Sequence, residues 1–117
     1  MTREFVMMPE FERQWKRLGL RDDDLRELQQ ILLENPKAGP VMRETGGLRK
    51  IRKAFEGKGK SGSARVAYVD FPVYETTYLI TVFAKSEKDN LSKQERNNIA
   101  KVISGLEQGL QRDKYRG

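Results

Sequence analysis

The sequence contains neither histidine nor cysteine. The absence of histidine excludes the commonest general base, the Ser-His-acid triad and most zinc sites. The absence of cysteine excludes disulfides, thiolate nucleophiles and Cys-ligated metals. Any catalysis must therefore use Lys, Arg, Tyr, Asp, Glu or a hydroxyl group, and we expect neither a metal nor a cofactor.

Long apolar runs are also missing. No run approaches the roughly 20 residues that a membrane-spanning helix needs. In the opening stretch MTREFVMMPEFERQ, charges interrupt any apolar segment long enough for a signal peptide. We therefore expect a cytoplasmic protein with no membrane partner. Its 117 residues predict a single domain over 1–117.

Positive charge is concentrated in one fifth of the chain. The formal net charge is +6, and residues 42–65 hold eight bases against two acids, whereas the bases and acids elsewhere cancel. The eight bases are Arg43, Arg49, Lys50, Arg52, Lys53, Lys58, Lys60 and Arg65. A protein surface usually intersperses both signs. The segment therefore predicts a surface that binds a polyanion, with a solvated hairpin loop as the alternative for its glycine-rich part.

The hydrophobic pattern predicts seven elements in the order β-α-α-β-β-β-α. Their sequences are REFVMM, PEFERQWKRL, RDDDLRELQQILLENP, LRKIRKA, ARVAYVDF, ETTYLITVFAK and LSKQERNNIAKVISGLEQGL. The last helix opens with Ser92 and Glu95 at the spacing of a capping box. We expect a frayed tail from about residue 109.

These elements predict an α+β fold with a small, curved, mainly antiparallel sheet and helices on one face. Within LRKIRKA, alternation places Leu48, Lys50 and Arg52 on one side and Arg49, Ile51 and Lys53 on the other. The face without helices is expected to carry four basic residues, provided that no bulge shifts the alternation of side chains between the two faces. They are Lys50, Arg52, Arg65 and Lys85.

The element order and three stretches resemble the RelE/HigB group of bacterial type II toxins. The stretches are NPKAGPVMRETGGLRKIR, GKGKSGSARVAYV and LITVFAKSEKDNLSKQER. The likeness covers residues 3 to about 106 and is strongest to HigB-like members with a Gly-Lys-Gly-Lys turn. It implies a RelE-like fold and a ribosome-dependent mRNA endonuclease, which cuts the message in the A site beside 16S rRNA. It also implies a cognate antitoxin as partner, for which a helix-turn-helix protein is one candidate.

The resemblance assigns roles to individual residues. The implied catalytic residues are Lys50, Arg52, Lys58, Lys60, Arg65 and Lys85, and the implied RNA-binding residues are Arg49, Lys53 and Phe83. Cleavage by the RNA 2′-hydroxyl needs stabilisation of the charge that builds up on the phosphate, which the planar fork of arginine suits. Many family members place an aromatic hydroxyl near the end of the fourth strand. Phe83 stands at one such place and cannot move a proton, so the general acid stays open.

Two other functions share part of this pattern. A ParE-like toxin has the same fold, poisons DNA gyrase by protein contact and cuts no RNA. A plain RNA-binding module would bind with a steep salt dependence and release no product. Fold alone does not separate the RNA-cleaving toxin from the ParE-like toxin, but the full set of basic residues favours cleavage.

Overall fold

A computed structural model describes residues 3–55, 63–88 and 90–116 of the chain. Within these ranges the secondary structure follows the predicted order. The elements are β1 (Glu4–Met7), α1 (Pro9–Arg17), α2 (Asp22–Glu34), β2 (Arg49–Ala54), β3 (Ser63–Phe71), β4 (Thr76–Ala84) and α3 (Lys93–Arg116). One 3-10 turn, at Pro72–Tyr74, connects β3 to β4.

The strands form one four-stranded sheet in the order β1-β4-β3-β2. The β2–β3 and β3–β4 pairs are antiparallel, as short connections require. The first strand completes the sheet by pairing in parallel with β4. The predicted α+β class and the mainly antiparallel sheet are confirmed.

Strand β4 contains one residue more than its partner β3 over the stretch where the two strands pair. Ala67 pairs with Thr81 and Tyr68 with Leu79, so Ile80 is the extra residue of a bulge. Side chains alternate between the faces along a regular strand, and the bulge shifts that alternation by one. As a result Leu79 and Val82 pack in the same core cluster, although strict alternation would separate them.

One face of the sheet is covered by α1 and α2. Phe11 and Trp15 of α1 and Leu28 of α2 pack there against Val66 and Tyr68 of β3. The indole ring of Trp15 stacks on Phe11, with 5.1 Å between the ring centroids. Burial of this aromatic and aliphatic surface drives the docking of both helices, and Trp15 is therefore a core residue.

The expectation that all helices lie on one face is wrong, because α3 covers the opposite face. Ile103 of α3 packs with Ala67, Val69 and Ile80, which alternate with the residues facing α1 and α2. Strand β3 is buried on both sides from residue 64 to 69, and a strand of this kind needs cover on both faces. Leu110 also packs against this cluster. Helix α3 extends to Arg116, and a frayed tail from about residue 109 stays a prediction.

The start of α3 is held by the predicted capping box. The Glu95 amide donates to Ser92 Oγ at 3.1 Å, and the Ser92 amide donates to Glu95 Oε1 at 2.8 Å. These bonds satisfy two amides that a helix N-terminus leaves without partners. Although α3 is 24 residues long, neither it nor any other helix in the described ranges is long and apolar enough to cross a membrane.

Candidate active site

Three of the predicted site residues meet on the α3 face of the sheet. Arg52 of β2 pairs directly with Arg65 of β3. Lys50 precedes Arg52 by two residues and pairs with Ala67, so its side chain projects on the same side. Directly opposed residues have Cβ atoms about 4.5–5.5 Å apart. The structure therefore brings Lys50, Arg52 and Arg65 together, as the alternation in β2 predicted. We call these three residues the cation cluster.

Arg65 is the most buried member of the cation cluster. Its residue is 2% exposed, and its Nη1 donates to Ser63 Oγ at 3.1 Å. Among the described residues, no carboxylate lies within ion-pair distance of its guanidinium. A buried cation is costly unless an anion accompanies it, and like charges directly opposed across two strands repel. The arrangement of Arg65 opposite Arg52 therefore favours binding of an anion.

Lys85 lies at the same end of the sheet as Arg65. Its backbone amide donates to the Ser63 carbonyl at 3.2 Å, which places the end of β4 beside the start of β3. The side chain is exposed. Glu87, the acid nearest to it in sequence, forms an ion pair with Arg17 of α1 at 2.7 Å. Lys85 thus lies at the border of the cation cluster with its ammonium group accessible.

Two predicted catalytic residues cannot be placed relative to the cluster. Lys58 and Lys60, with the Gly-Lys-Gly-Lys turn that contains them, belong to residues 56–62 and lie outside the described residues. The turn follows β2, which ends at Ala54, and precedes β3, which begins at Ser63. Their assignment stays a prediction.

Arg49 and Lys53 project on the other face of the sheet, away from the cation cluster. Arg49 Nη1 donates to the Gly39 carbonyl at 2.8 Å. Lys53 Nζ forms an ion pair with Glu27 of α2 at 2.6 Å. The period of two in β2 separates them from Lys50 and Arg52. In this structure Arg49 holds the loop at Gly39 and Lys53 links β2 to α2, and their assignment as RNA-binding residues stays a prediction.

Phe83, the third residue predicted to bind RNA, is buried. It pairs with Arg65 across β3 and β4, but its residue is only 3% exposed and packs in the cluster beneath α3. The Lys88 ammonium lies 5.1 Å from the centre of its ring. In this structure Phe83 packs beneath α3 and beside Arg65, and its assignment as an RNA-binding residue stays a prediction.

The carboxylates beside β4 are ionised partners of cations. The hydrogen bond from Arg17 lowers the pKa of Glu87, and the hydrogen bond from Lys88 lowers the pKa of Glu95. A carboxyl whose pKa is lowered does not hold a proton near neutral pH and is a poor general acid. Within the described residues, no group of three or more His, Cys, Asp or Glu side chains is placed to hold a metal ion.

A buried tyrosine fixes the loop that runs beside β2. The Tyr68 hydroxyl donates to the Pro36 carbonyl at 2.8 Å and accepts from the Gly39 amide at 3.0 Å. Burial raises the pKa of this phenol, which keeps it protonated and therefore able to donate. Gly39 has no room for a side chain, since a Cβ there would lie 2.7 Å from the Lys50 carbonyl oxygen. Tyr68 is a structural residue that positions the loop against Lys50.

We expect Tyr68→Phe to lower the free energy of unfolding by about 1–3 kcal/mol, because it leaves the buried Gly39 amide without its acceptor. Urea unfolding followed by circular dichroism measures the change. Tyr78→Phe is the matched control, since the Tyr78 hydroxyl has no hydrogen bond to any described residue, and its unfolding midpoint should stay near that of the wild type. Equal midpoints for both variants would contradict the role of Tyr68.

Two residues near the cation cluster were not identified from the sequence. Lys50 Nζ donates to Asn90 Oδ1 at 3.2 Å, and Arg96 of α3 lines the same pocket as Lys50. Asn90 lies 40 positions and Arg96 lies 46 positions from Lys50 in the chain, so no local spacing connects them. The one available signal was Arg96 itself, a charged residue three positions before Ile99 on the apolar side of α3.

Comparison with protein families gives one match. Residues 6–114 match the model of the family described as "RelE toxin of RelE / RelB toxin-antitoxin system". The matched region includes all three residues of the cation cluster as well as Lys85.

Two solved structures from E. coli share the fold. The first is a double arginine-to-alanine mutant of the toxin RelE in the free state, at 16% identity and a TM-score of 0.55, with 76% of this chain and 90% of that chain covered. The second is the intact RelBE toxin–antitoxin complex, at 17% identity and a TM-score of 0.51, with 69% of this chain and 94% of that chain covered. At these identities the similarity concerns the arrangement of helices and strands.

Proposed function

We propose a function for this chain from the premise that it belongs to the RelE family of toxins of toxin–antitoxin systems. The proposed activity is endonucleolytic cleavage of messenger RNA in the ribosomal A site. In this reaction the 2′-hydroxyl oxygen of one nucleotide forms a bond to the adjacent phosphorus and the 5′-oxygen of the next nucleotide leaves. One product ends in a 2′,3′-cyclic phosphate and the other begins with a 5′-hydroxyl.

The single observation that carries this proposal is the direct pairing of Arg52 with Arg65 on a face that also presents Lys50. A phosphate placed between the two guanidinium groups relieves their repulsion. It also receives bidentate hydrogen bonds from the planar guanidinium group of Arg65, which the hydrogen bond to Ser63 already orients. As the fifth oxygen bonds to phosphorus, negative charge on the phosphate rises, and donors fixed in advance stabilise that charge most.

Six basic residues have proposed roles in this reaction. Arg65 and Arg52 bind the reacting phosphate and stabilise its charge in the transition state. Lys50 and Lys85 are proposed as the catalytic lysines on either side, and Lys58 and Lys60 of the intervening turn as further catalytic cations. Glu87 and Glu95 are not proposed as donors of the proton to the leaving oxygen, because hydrogen bonds from Arg17 and Lys88 lower their pKa values.

The proposed partners follow from the same premise. An antitoxin, with a helix-turn-helix protein as one candidate, would bind the chain and hold it inactive. The RelBE complex provides an E. coli example of a toxin held by its antitoxin. The mRNA and 16S rRNA of the A site are the proposed nucleic-acid partners. We further propose the HigB-like branch of the group, on the basis of the Gly-Lys-Gly-Lys turn.

We expect the purified protein to cut a defined message only when translating ribosomes are present. Primer extension in a reconstituted translation system, with and without ribosomes, measures new 3′ ends. Ends at fixed positions within the A-site codon support the proposal, because the ribosome supplies the in-line geometry that a free RNA seldom adopts.

The same assay discriminates the alternatives. Cleavage of naked RNA at the same rate would contradict ribosome dependence. If no new ends appear, a DNA supercoiling assay with gyrase tests the ParE-like function. RNA binding with a steep salt dependence but without product would leave a binding module. Arg26→Ala, on the exposed side of α2, is the control that should cut as the wild type does.

A further inference from the structure

A pocket lined by cations adjoins the cation cluster, and none of the roles assigned above accounts for it. It has a volume of about 270 Å³. Three cations from separate segments line it, namely Arg43, Lys50 and Arg96, together with Asn90 and apolar residues of the 40–42 loop. No carboxylate is among the described residues that line it.

The wall that carries Arg43 is held by main-chain hydrogen bonds. The Lys50 amide donates to the Pro40 carbonyl at 3.1 Å, and the Met42 amide donates to the Leu48 carbonyl at 2.8 Å. Thr45 closes the following turn, since its hydroxyl donates to the Met42 carbonyl at 2.7 Å and accepts from the Leu48 amide at 3.1 Å. The loop therefore pairs along the edge of β2 and forms a fixed side of the pocket.

Asn90 orients the lysine of the pocket. Its Oδ1 accepts from Lys50 Nζ at 3.2 Å and from the Leu91 amide at 2.9 Å. These two bonds use the oxygen of the Asn90 side chain. Its NH₂ group has no hydrogen-bond partner among the described residues, so the pocket offers an amide donor beside the ammonium of Lys50.

Arg96 occupies a position of α3 that normally carries an apolar residue. It precedes Ile99 by three positions and Ile103 by seven, which places it on the stripe that packs against the sheet. Its Nε is buried and has no hydrogen-bond partner among the described residues. None of the described carboxylates forms an ion pair with its guanidinium. A buried donor of this kind destabilises the fold unless a ligand satisfies it.

We propose that this pocket is a phosphate-binding subsite, and that it holds a backbone phosphate of the RNA next to the one that is cleaved. The assignment to RNA rests on the proposed function. Lys50 belongs to both places, because it lines the pocket and lies two residues from Arg52 on the same face of β2. A strand bound along this face would place one phosphate between Arg52 and Arg65 and a neighbouring phosphate against Arg96 and Arg43. Arg96 is accordingly a substrate-positioning residue.

Titration of the protein with inorganic phosphate tests the subsite directly. The probe is the set of ¹H–¹⁵N signals of the Arg96 Nε–H and the Asn90 side-chain amide. We expect both signals to shift saturably, with one dissociation constant. Arg96→Gln, which retains much of the side-chain volume, should weaken phosphate binding about 10-fold or more as read from the Asn90 amide, because it removes a charge-assisted donor.

Two further variants keep the test decisive. Arg43→Gln changes an exposed loop residue, so its folding is not at risk, and it should also weaken phosphate binding. Lys101→Gln removes one positive charge from an exposed position of α3 and should leave the dissociation constant unchanged. Failure of phosphate to shift the signals, or equal weakening by all three variants, would overturn the subsite.

A second binding experiment, with an oligonucleotide, identifies the source of the phosphate. A short oligonucleotide with 2′-O-methyl riboses lacks the attacking hydroxyl and is not cleaved by this route. It should displace inorganic phosphate from the pocket in the wild type, and Arg96→Gln should reduce its affinity. An oligonucleotide that binds without displacing phosphate would overturn the RNA assignment. Neither experiment depends on turnover, so loss of the proposed cleavage activity and loss of the subsite are observed separately.

Discussion

Arg65→Ala is expected to slow ribosome-dependent cleavage about 100- to 1,000-fold, or roughly 2.7–4 kcal/mol of transition-state stabilisation. The reason is that Arg65 is only 2% exposed, has no carboxylate partner among the described residues and lies opposite Arg52. Such a donor gains most when charge develops on a phosphate. Quantitative primer extension under single-turnover conditions measures the effect.

Two controls separate catalysis from folding in this experiment. Removal of Arg65 also removes its repulsion with Arg52, so we expect the Arg65→Ala protein to remain folded, as circular dichroism and urea unfolding would show. Arg65→Lys keeps the charge but loses the bidentate fork and should give an intermediate rate. Full toxicity of a well-expressed Arg65→Ala protein would refute the role of Arg65.

Asp70→Ala is expected to lower the free energy of unfolding by about 3–5 kcal/mol. Asp70 Oδ1 accepts from Arg3 Nη1 at 2.6 Å and from Thr77 Oγ1 at 2.7 Å, and the side chains of Arg3 and Asp70 are 5% and 6% exposed. The pair joins the residue before β1 to β3 across β4. Loss of the carboxylate leaves the Arg3 cation buried without this partner. Equilibrium unfolding in urea measures the difference.

A double variant tests the origin of that loss. Replacement of both partners by apolar residues, Arg3→Met with Asp70→Leu, should cost less than Asp70→Ala alone, because the buried guanidinium that has lost Asp70 is then removed as well. Glu107→Ala, at an exposed position of α3, should change stability by less than about 0.5 kcal/mol. A loss of under about 1 kcal/mol in Asp70→Ala would show that the buried ion pair is not what secures β1.

Much of the fold could be predicted because its signals are local. The order of elements follows from helical and alternating periods, and the start of α3 from the spacing of Ser92 and Glu95. The separation of Lys50 and Arg52 from Arg49 and Lys53 follows from the period of two along β2. Each of these properties depends on residues a few positions apart. The geometry of a single strand or helix is therefore enough to determine it.

The amino-acid sequence by itself determined the class of fold, the concentration of charge in residues 42–65 and the presence of Lys50 and Arg52 on one side of a strand. The tertiary structure alone decided the composition of the site. The bulge at Ile80 set which residues of β4 accompany Arg65, and packing of α3 on the same face buried Phe83 and brought Arg96 beside Lys50. These outcomes depend on pairing and packing between segments far apart in the chain. The apolar surface that is buried on both faces of the sheet outweighs the conformational preference of any single segment.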